Sequence, residues 1–137
     1  MKYWLVKSEP FKYSWDQLVK DGKTFWNGVR NYQAANNMKA MKKGDQIFFY
    51  HSNEGLAVVG ICEVAKEYYP DHTDETGKFG MVDVKPVRPL KTAVTLADIK
   101  ATPELTDVAL IQQSRLSVMP ITPAQWKLIC KMGGIKP

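Results

Sequence analysis

Two short stretches combine the residue types that recognise a flat heteroaromatic ring. Trp26-Asn27-Gly28-Val29-Arg30-Asn31-Tyr32 brings large rings, a glycine, a guanidinium and two amides together, and Tyr50-His51-Ser52-Asn53 repeats the mixture. An aromatic side chain stacks on a base at about 1–3 kcal/mol, while amides, carboxylates and Arg read the base edge or hold a nearby phosphate. Trp26 and Tyr50 would form the two faces of such a sandwich, with Trp4 either a further apolar wall or a core residue. Glu9 supplies a carboxylate that accepts from the exocyclic amine of cytosine or adenine, a group thymine lacks, or is simply a solvated loop residue. Ser8, Asn31, Ser52 and Ser117 could complete the edge contacts, and helix caps and turns explain such residues as well. His51 could donate to a base or sit neutral and satisfied among apolar neighbours. The plain alternative for the whole set is that Trp26 and Tyr50 are core rings and Arg30 an ion-pair partner.

Charge narrows the partner. Lys and Arg number 19 against 14 Asp and Glu, a net charge of +5 with a pI near 9.2, which favours a polyanion such as nucleic acid. Sixteen of these cations are Lys and three are Arg, at positions 30, 88 and 115. Lysine is the ordinary solvated surface cation, so the scarce guanidiniums of Arg30 and Arg115 are the candidates for phosphate or base-edge contact.

Other chemistry is not encoded. The sequence holds no G-x-x-x-x-G-K or G-x-G-x-x-G phosphate loop, no H-E-x-x-H and no G-x-S-x-G elbow. Asp71, His72, Asp74 and Glu75 lack the spacing of a calcium loop. Cys62 and Cys130 stand far apart among apolar neighbours and read as small buried hydrophobes. No catalytic residue, cofactor or metal is expected. A 137-residue chain that is 45% apolar fits one globular domain, residues 1–137, with a core large enough to fold without staples. No apolar run reaches the ~18 residues of a membrane span, and no secretion signal is read at Met1. A soluble, cytoplasmic monomer without membrane partners is expected.

The elements that would position these residues follow from local signals. Tyr3 to Lys7 reads as a strand ended by Glu9-Pro10. Ser14 caps a helix, with Gln17 placed to reach back and Asp21-Gly22 as its stop. Helix formers run from Asn31 to about Lys43, and Gln46 to His51 is a continuous buried-strand run. Ser52 to Gly55 is turn chemistry, leading to a strand over Leu56–Tyr68 with Gly60 as a bulge or bend and a hairpin between the two strands. A polar loop covers 70–77, and a strand over Met81–Pro89 has prolines that place it at an edge or bend. Thr95 with Asp98 and Thr102 with Pro103 open short helices. Thr122, Pro123 and Gln125 open a final helix, ended by Gly133-Gly134, that buries Trp126, Ile129 and Cys130. Sequential strands with short helices between them predict an α+β fold, a small mixed barrel-like sheet with peripheral helices.

Several longer strings are distinctive: YWLVKSEP (3–10), WNGVRNYQAANNM (26–38), MKKGDQIFFYHSN (41–53), VVGICEV (58–64), YYPD (68–71) and RLSVMPIT (115–122). In these the chain resembles the EVE domain family, whose PUA-like fold is related to the YTH readers of methylated adenine. The resemblance implies a PUA-like β-barrel flanked by short helices, with a cleft for a modified base: a methylated or hydroxymethylated cytosine, or a methylated adenine, in DNA or RNA. It also implies a lining of Trp4, Ser8 and Glu9; Trp26, Val29, Arg30 and Asn31; Tyr50, His51 and Ser52; and Arg115, Leu116 and Ser117. Asn36 and Asn37 stand where many relatives would carry a basic residue.

A base in a duplex must leave its stack to enter such a cleft, so base flipping or single-strand capture is the expected mode. Two alternatives stay open. One is an amidohydrolase on a modified nucleoside, as in the related ASCH-type proteins, with Lys7 and Glu9 as an acid/base pair. The other is a protein-binding adaptor with an exposed apolar patch.

Overall fold

The computed structural model describes residues 1–137. Tyr3–Ser8 forms strand β1, and Trp15–Asp21 forms helix α1, capped by the Ser14 hydroxyl, which accepts the Gln17 N–H at 3.1 Å. The reciprocal half of the expected box is not made, because the Gln17 amide instead donates to Asp21 at 2.7 Å. Thr24–Phe25 is a short strand, β2, and Tyr32–Ala40 is helix α2, capped by the Asn31 side chain. This helix stops before Lys43, because Met41 turns extended and is buried in the core.

Gln46–His51 is β3, Ala57–Pro70 is β4 and Gly80–Thr95 is β5. Leu96–Lys100 forms α3, followed by a 3₁₀ turn over Pro103–Leu105 and by α4 at Ala109–Gln112. Val118–Ile121 is β6, and Pro123–Met132 is α5, opened by the full Thr122/Gln125 capping box. No helix is long and apolar enough to cross a membrane.

The six strands lie in the order β2-β5-β4-β3-β1-β6. The β1–β3 pair is parallel, as the long connection through α1, β2 and α2 permits, and the other pairs are antiparallel. In the β3–β4 hairpin Phe49 faces Gly60 while Tyr50 faces Val58, so the bulged residue is Val59 rather than its neighbour Gly60. Gly60 serves another need: a Cβ there would lie 2.6 Å from the Trp15 ring. Because β2 pairs with β5 only at Asp83 and Val84, Pro86 and Pro89 lie where β5 has a partner on one side alone, β4, the edge position at which prolines are tolerated.

The fold is α+β, a PUA-like mixed barrel. Its end strands β2 and β6 share no ladder, and α2 packs against both β5 and β6. The Asn37 amide fixes that helix by donating to the Val118 carbonyl at 2.8 Å.

The alternation of β3 divides its aromatics between two faces. Phe48 stacks on Trp126 of α5 with ring centroids 3.9 Å apart, and Tyr3 stacks on the same indole at 4.5 Å. Phe49 turns the other way, edge-on to Trp15, Trp26 and His51. Cys62 and Cys130 are unpaired and buried, and burial raises the Cys130 thiol to about 11, so neither is a thiolate at neutral pH.

Candidate functional site

Where β1 ends, the chain opens a cleft of about 540 Å³. Its walls are Lys7, Ser8 and Glu9 at the end of β1, Lys12 and Tyr13 from the turn into α1, residues 24–30 along and after β2, and Ser117 at the entry to β6. The cleft thus lies between the segments that lead from one unpaired edge strand and into the other.

Each wall is held by identifiable bonds. Lys7 clamps the segment before β6 twice: its backbone N–H donates to the Ser117 carbonyl at 3.0 Å and its Nζ to the Ser114 carbonyl at 2.7 Å. Partial burial lowers the Lys7 pKa from its ordinary 10.5. The Ser8 hydroxyl donates to the Tyr13 carbonyl, folding the β1–α1 turn against the strand end. Glu9 pairs with Lys12 at 3.5 Å. Lys7 and Glu9 both face the cleft but hold different partners and form no pair with each other.

Trp26 supplies the large ring. It is half-buried, edge-on to Phe49 at 5.6 Å and to Tyr13 at 6.4 Å, and its backbone N–H donates to the Val82 carbonyl at 2.7 Å. Gly28 follows in a left-handed conformation, φ +81, and donates its N–H to Asp71 at 2.8 Å. Val29 is buried beneath the loop. Arg30 reaches Asp71 at 3.0 Å and the Thr73 hydroxyl at 3.1 Å, so its charge is already matched by a carboxylate. Arg30 thus makes the ion pair that was the alternative at this position, while its side chain remains partly exposed at the cleft.

Six of the residues expected to bind the base or its phosphate meet in this cleft: Ser8, Glu9, Trp26, Val29, Arg30 and Ser117. The others lie elsewhere. Tyr50 is 2% exposed and outside the lining, because strand alternation sends it to the face opposite Phe49 and Trp26. No Trp26–Tyr50 sandwich forms. Trp4 is buried, with its indole N–H donating to the buried Asp45 carboxylate at 3.1 Å, which fits the core alternative.

His51 is also outside the cleft: its Nε2 accepts the Trp15 backbone N–H at 3.1 Å, capping the start of α1. Burial lowers its pKa from 6.5, against the opposing pull of Asp16. Ser52 donates its backbone N–H to the Ser8 carbonyl at 2.9 Å and lines no part of the cleft. Asn31 caps α2, its side chain accepting the Ala34 N–H at 2.9 Å. With Arg115 and Leu116, it borders a separate depression.

Sequence reasoning overlooked three contributors. Tyr13 and Phe25 bring the rings that Tyr50 does not. Asp71, treated as part of a polar loop, is fully buried at its side chain and anchors the cleft loop. No three His, Cys, Asp or Glu side chains converge as metal ligands.

Residues 2–132 match the EVE domain family. An NMR structure of a Rhodopseudomonas palustris protein is 57% identical, with a TM-score of 0.93, covering 98% of this chain and 94% of that one. The crystal structure of human THYN1 protein in complex with 5-methylcytosine containing DNA is 33% identical, with a TM-score of 0.93, covering 100% of each chain. The YTH domain of Zygosaccharomyces rouxii MRB1, solved with N6-methyladenosine RNA, covers 96% of this chain and 86% of its own at a TM-score of 0.62 and 14% identity, a likeness of fold.

Proposed function

The chain belongs to the EVE domain family, and from that premise we propose that it is a monomeric nucleic-acid binding module, not an enzyme, whose cleft captures one modified base. The observation that carries the reading is Trp26, held by Phe49 and Tyr13 in a cleft that also gathers Ser8, Glu9, Lys7 and Ser117. Trp26, Tyr13 and Phe25 offer ring surface for the base, and the Glu9 carboxylate accepts from an exocyclic amine, which selects cytosine or adenine over thymine. The DNA complex of human THYN1 supports the same ligand class. The base arrives by flipping from a duplex or from a single strand, at a cost of a few kcal/mol for unstacking. Lys7, Lys12 and the net charge of +5 favour the backbone.

The test is a binding screen with DNA and RNA oligonucleotides that differ only in one central base: unmodified, 5-methylcytosine, 5-hydroxymethylcytosine or N6-methyladenine. Preference for one modified strand, with affinity for single strands falling on added salt at a log–log slope of about −0.7 per neutralised phosphate, is the expected result. Equal binding of all strands overturns the reading, and so does turnover of the modified nucleoside.

A further inference from the structure

Behind the wall of the cleft that Lys7 clamps lies a second depression, of about 320 Å³. The two concavities share that wall. Arg30 and Ser117 line the cleft, while their chain neighbours Asn31 and Leu116 line the depression, a step of about 3.8 Å between α-carbons. Lys7 spans the boundary, since it faces the cleft and its Nζ donates to the carbonyl of Ser114, a residue of the depression.

The chemistry of the depression is one-sided. Its lining holds a single apolar residue, Leu116, and no carboxylate. Of the chain's three arginines, Arg30 is paired with Asp71 and Arg88 donates to the Lys136 carbonyl, but Arg115 has neither an ion pair nor a hydrogen bond. The side-chain amides of Gln33 and Gln113 are also free, whereas that of Gln112 is committed to the Thr106 carbonyl at 2.7 Å. Such a surface disfavours an apolar peptide and suits an anionic group attached to a hydrogen-bonding edge.

We propose that this depression seats the nucleotide adjacent to the captured base, with its phosphate between Arg115 and Lys7 and its base edge against Gln33 and Gln113. Lys7 carries three N–H donors and spends one on Ser114, so it retains donors for a phosphate. A glutamine amide pairs in bidentate fashion with the N6/N7 edge of adenine, which makes adenine the favoured neighbour. The proposal rests on the reading of the cleft as a modified-base site.

The experiment compares three ligands built on whichever modified base the oligonucleotide screen selects: the free nucleoside and two dinucleotides, with adenine attached on its 5′ or its 3′ side. The wild-type protein binds one dinucleotide more tightly than the nucleoside. Arg115→Gln, a substitution at an exposed residue, weakens that dinucleotide about tenfold, the scale of one charge-assisted contact, and leaves the nucleoside unchanged. Gln113→Ala diminishes the preference for adenine over the other neighbours. Equal affinity of Arg115→Gln and wild type for both dinucleotides overturns the proposal while the nucleoside result leaves the cleft reading standing. Failure of the wild-type protein to bind any modified ligand overturns both.

Discussion

Arg30 Nη1 lies 3.0 Å from Asp71 Oδ2, and the same oxygen accepts the backbone N–H of Gly28 at 2.8 Å. Thr73 donates its N–H and hydroxyl to the other carboxylate oxygen. Burial by itself pushes the Asp71 carboxyl up, but the hydrogen bonds from Thr73, Gly28 and Arg30 outweigh it and hold the group well below the usual carboxylate range. Asp71 thereby ties the cleft loop to the β4–β5 connection. Asp71→Ala strands the Gly28 N–H and leaves Arg30 without its partner, and is expected to cost about 3 kcal/mol in urea unfolding. The folded carboxyl titrates below its ordinary 3.8, so its contribution is complete above that value and is lost only as the pH falls below it. The difference between variant and wild type should therefore stay constant between about pH 5 and 8. A difference that shrinks toward pH 5 would contradict this arrangement.

His51 should set the pH response at milder acidity. Its Nε2 accepts the Trp15 N–H, which only an imidazole unprotonated at that nitrogen can do. Burial lowers the folded pKa from 6.5, so the stabilisation is present above 6.5 and fades as the pH drops through the lower folded value. Thermal midpoints should thus decline from pH 7 to about pH 5. In His51→Phe, which loses about 1 kcal/mol with the hydrogen bond, that decline should be absent.

What could be read in advance divides along sequence separation. The caps at Ser14, Asn31, Thr95 and Thr122 bind backbone N–H groups three residues on, so their chemistry is written within one turn. The buried run of β3 is legible for the same reason. The two-residue β2 carries too little pattern to register and exists through its pairing with Asp83 and Val84. The four-residue β6 depends in the same way on its ladder with β1. The Arg30–Asp71 bond joins residues 41 apart, and no local signal distinguishes that aspartate from its loop neighbours. Tyr50 was legible as a ring at a strand end, but which face it takes depends on strand alternation relative to Trp26, which sits in another element.

Gly60 and Trp15 form a close approach that props the cleft from beneath. A Cβ at position 60 would meet the indole at 2.6 Å, and Trp15 packs on Phe49, which in turn carries Trp26. Gly60→Ala should destabilise by about 1–3 kcal/mol through overpacking. Trimming the indole in Gly60→Ala/Trp15→Leu opens the space again. The double variant should accordingly be more stable than the sum of the two single changes predicts, with a coupling of at least about 0.5 kcal/mol in a double-mutant cycle. Additive losses would mean that the indole moves aside freely and that the contact constrains nothing.

Trp26 and Tyr50 provide the sharpest contrast between ring types in a sequence and rings in a site. Trp26 lines the cleft, whereas Tyr50 is buried on the opposite face of β3. A base stacked on Trp26 gains about 1–3 kcal/mol, so Trp26→Ala should weaken the preferred modified strand about tenfold or more. That variant also loses packing on Phe49 and Tyr13, so binding must be read beside a partner that preserves the fold. Trp26→Phe keeps a ring in place and should retain an intermediate affinity. Tyr50→Phe removes only a hydroxyl that faces no ligand and should bind as wild type does. Calorimetric dissociation constants for the three variants decide the matter: a loss at Tyr50→Phe with no loss at Trp26→Ala would move the base to the other face of the sheet.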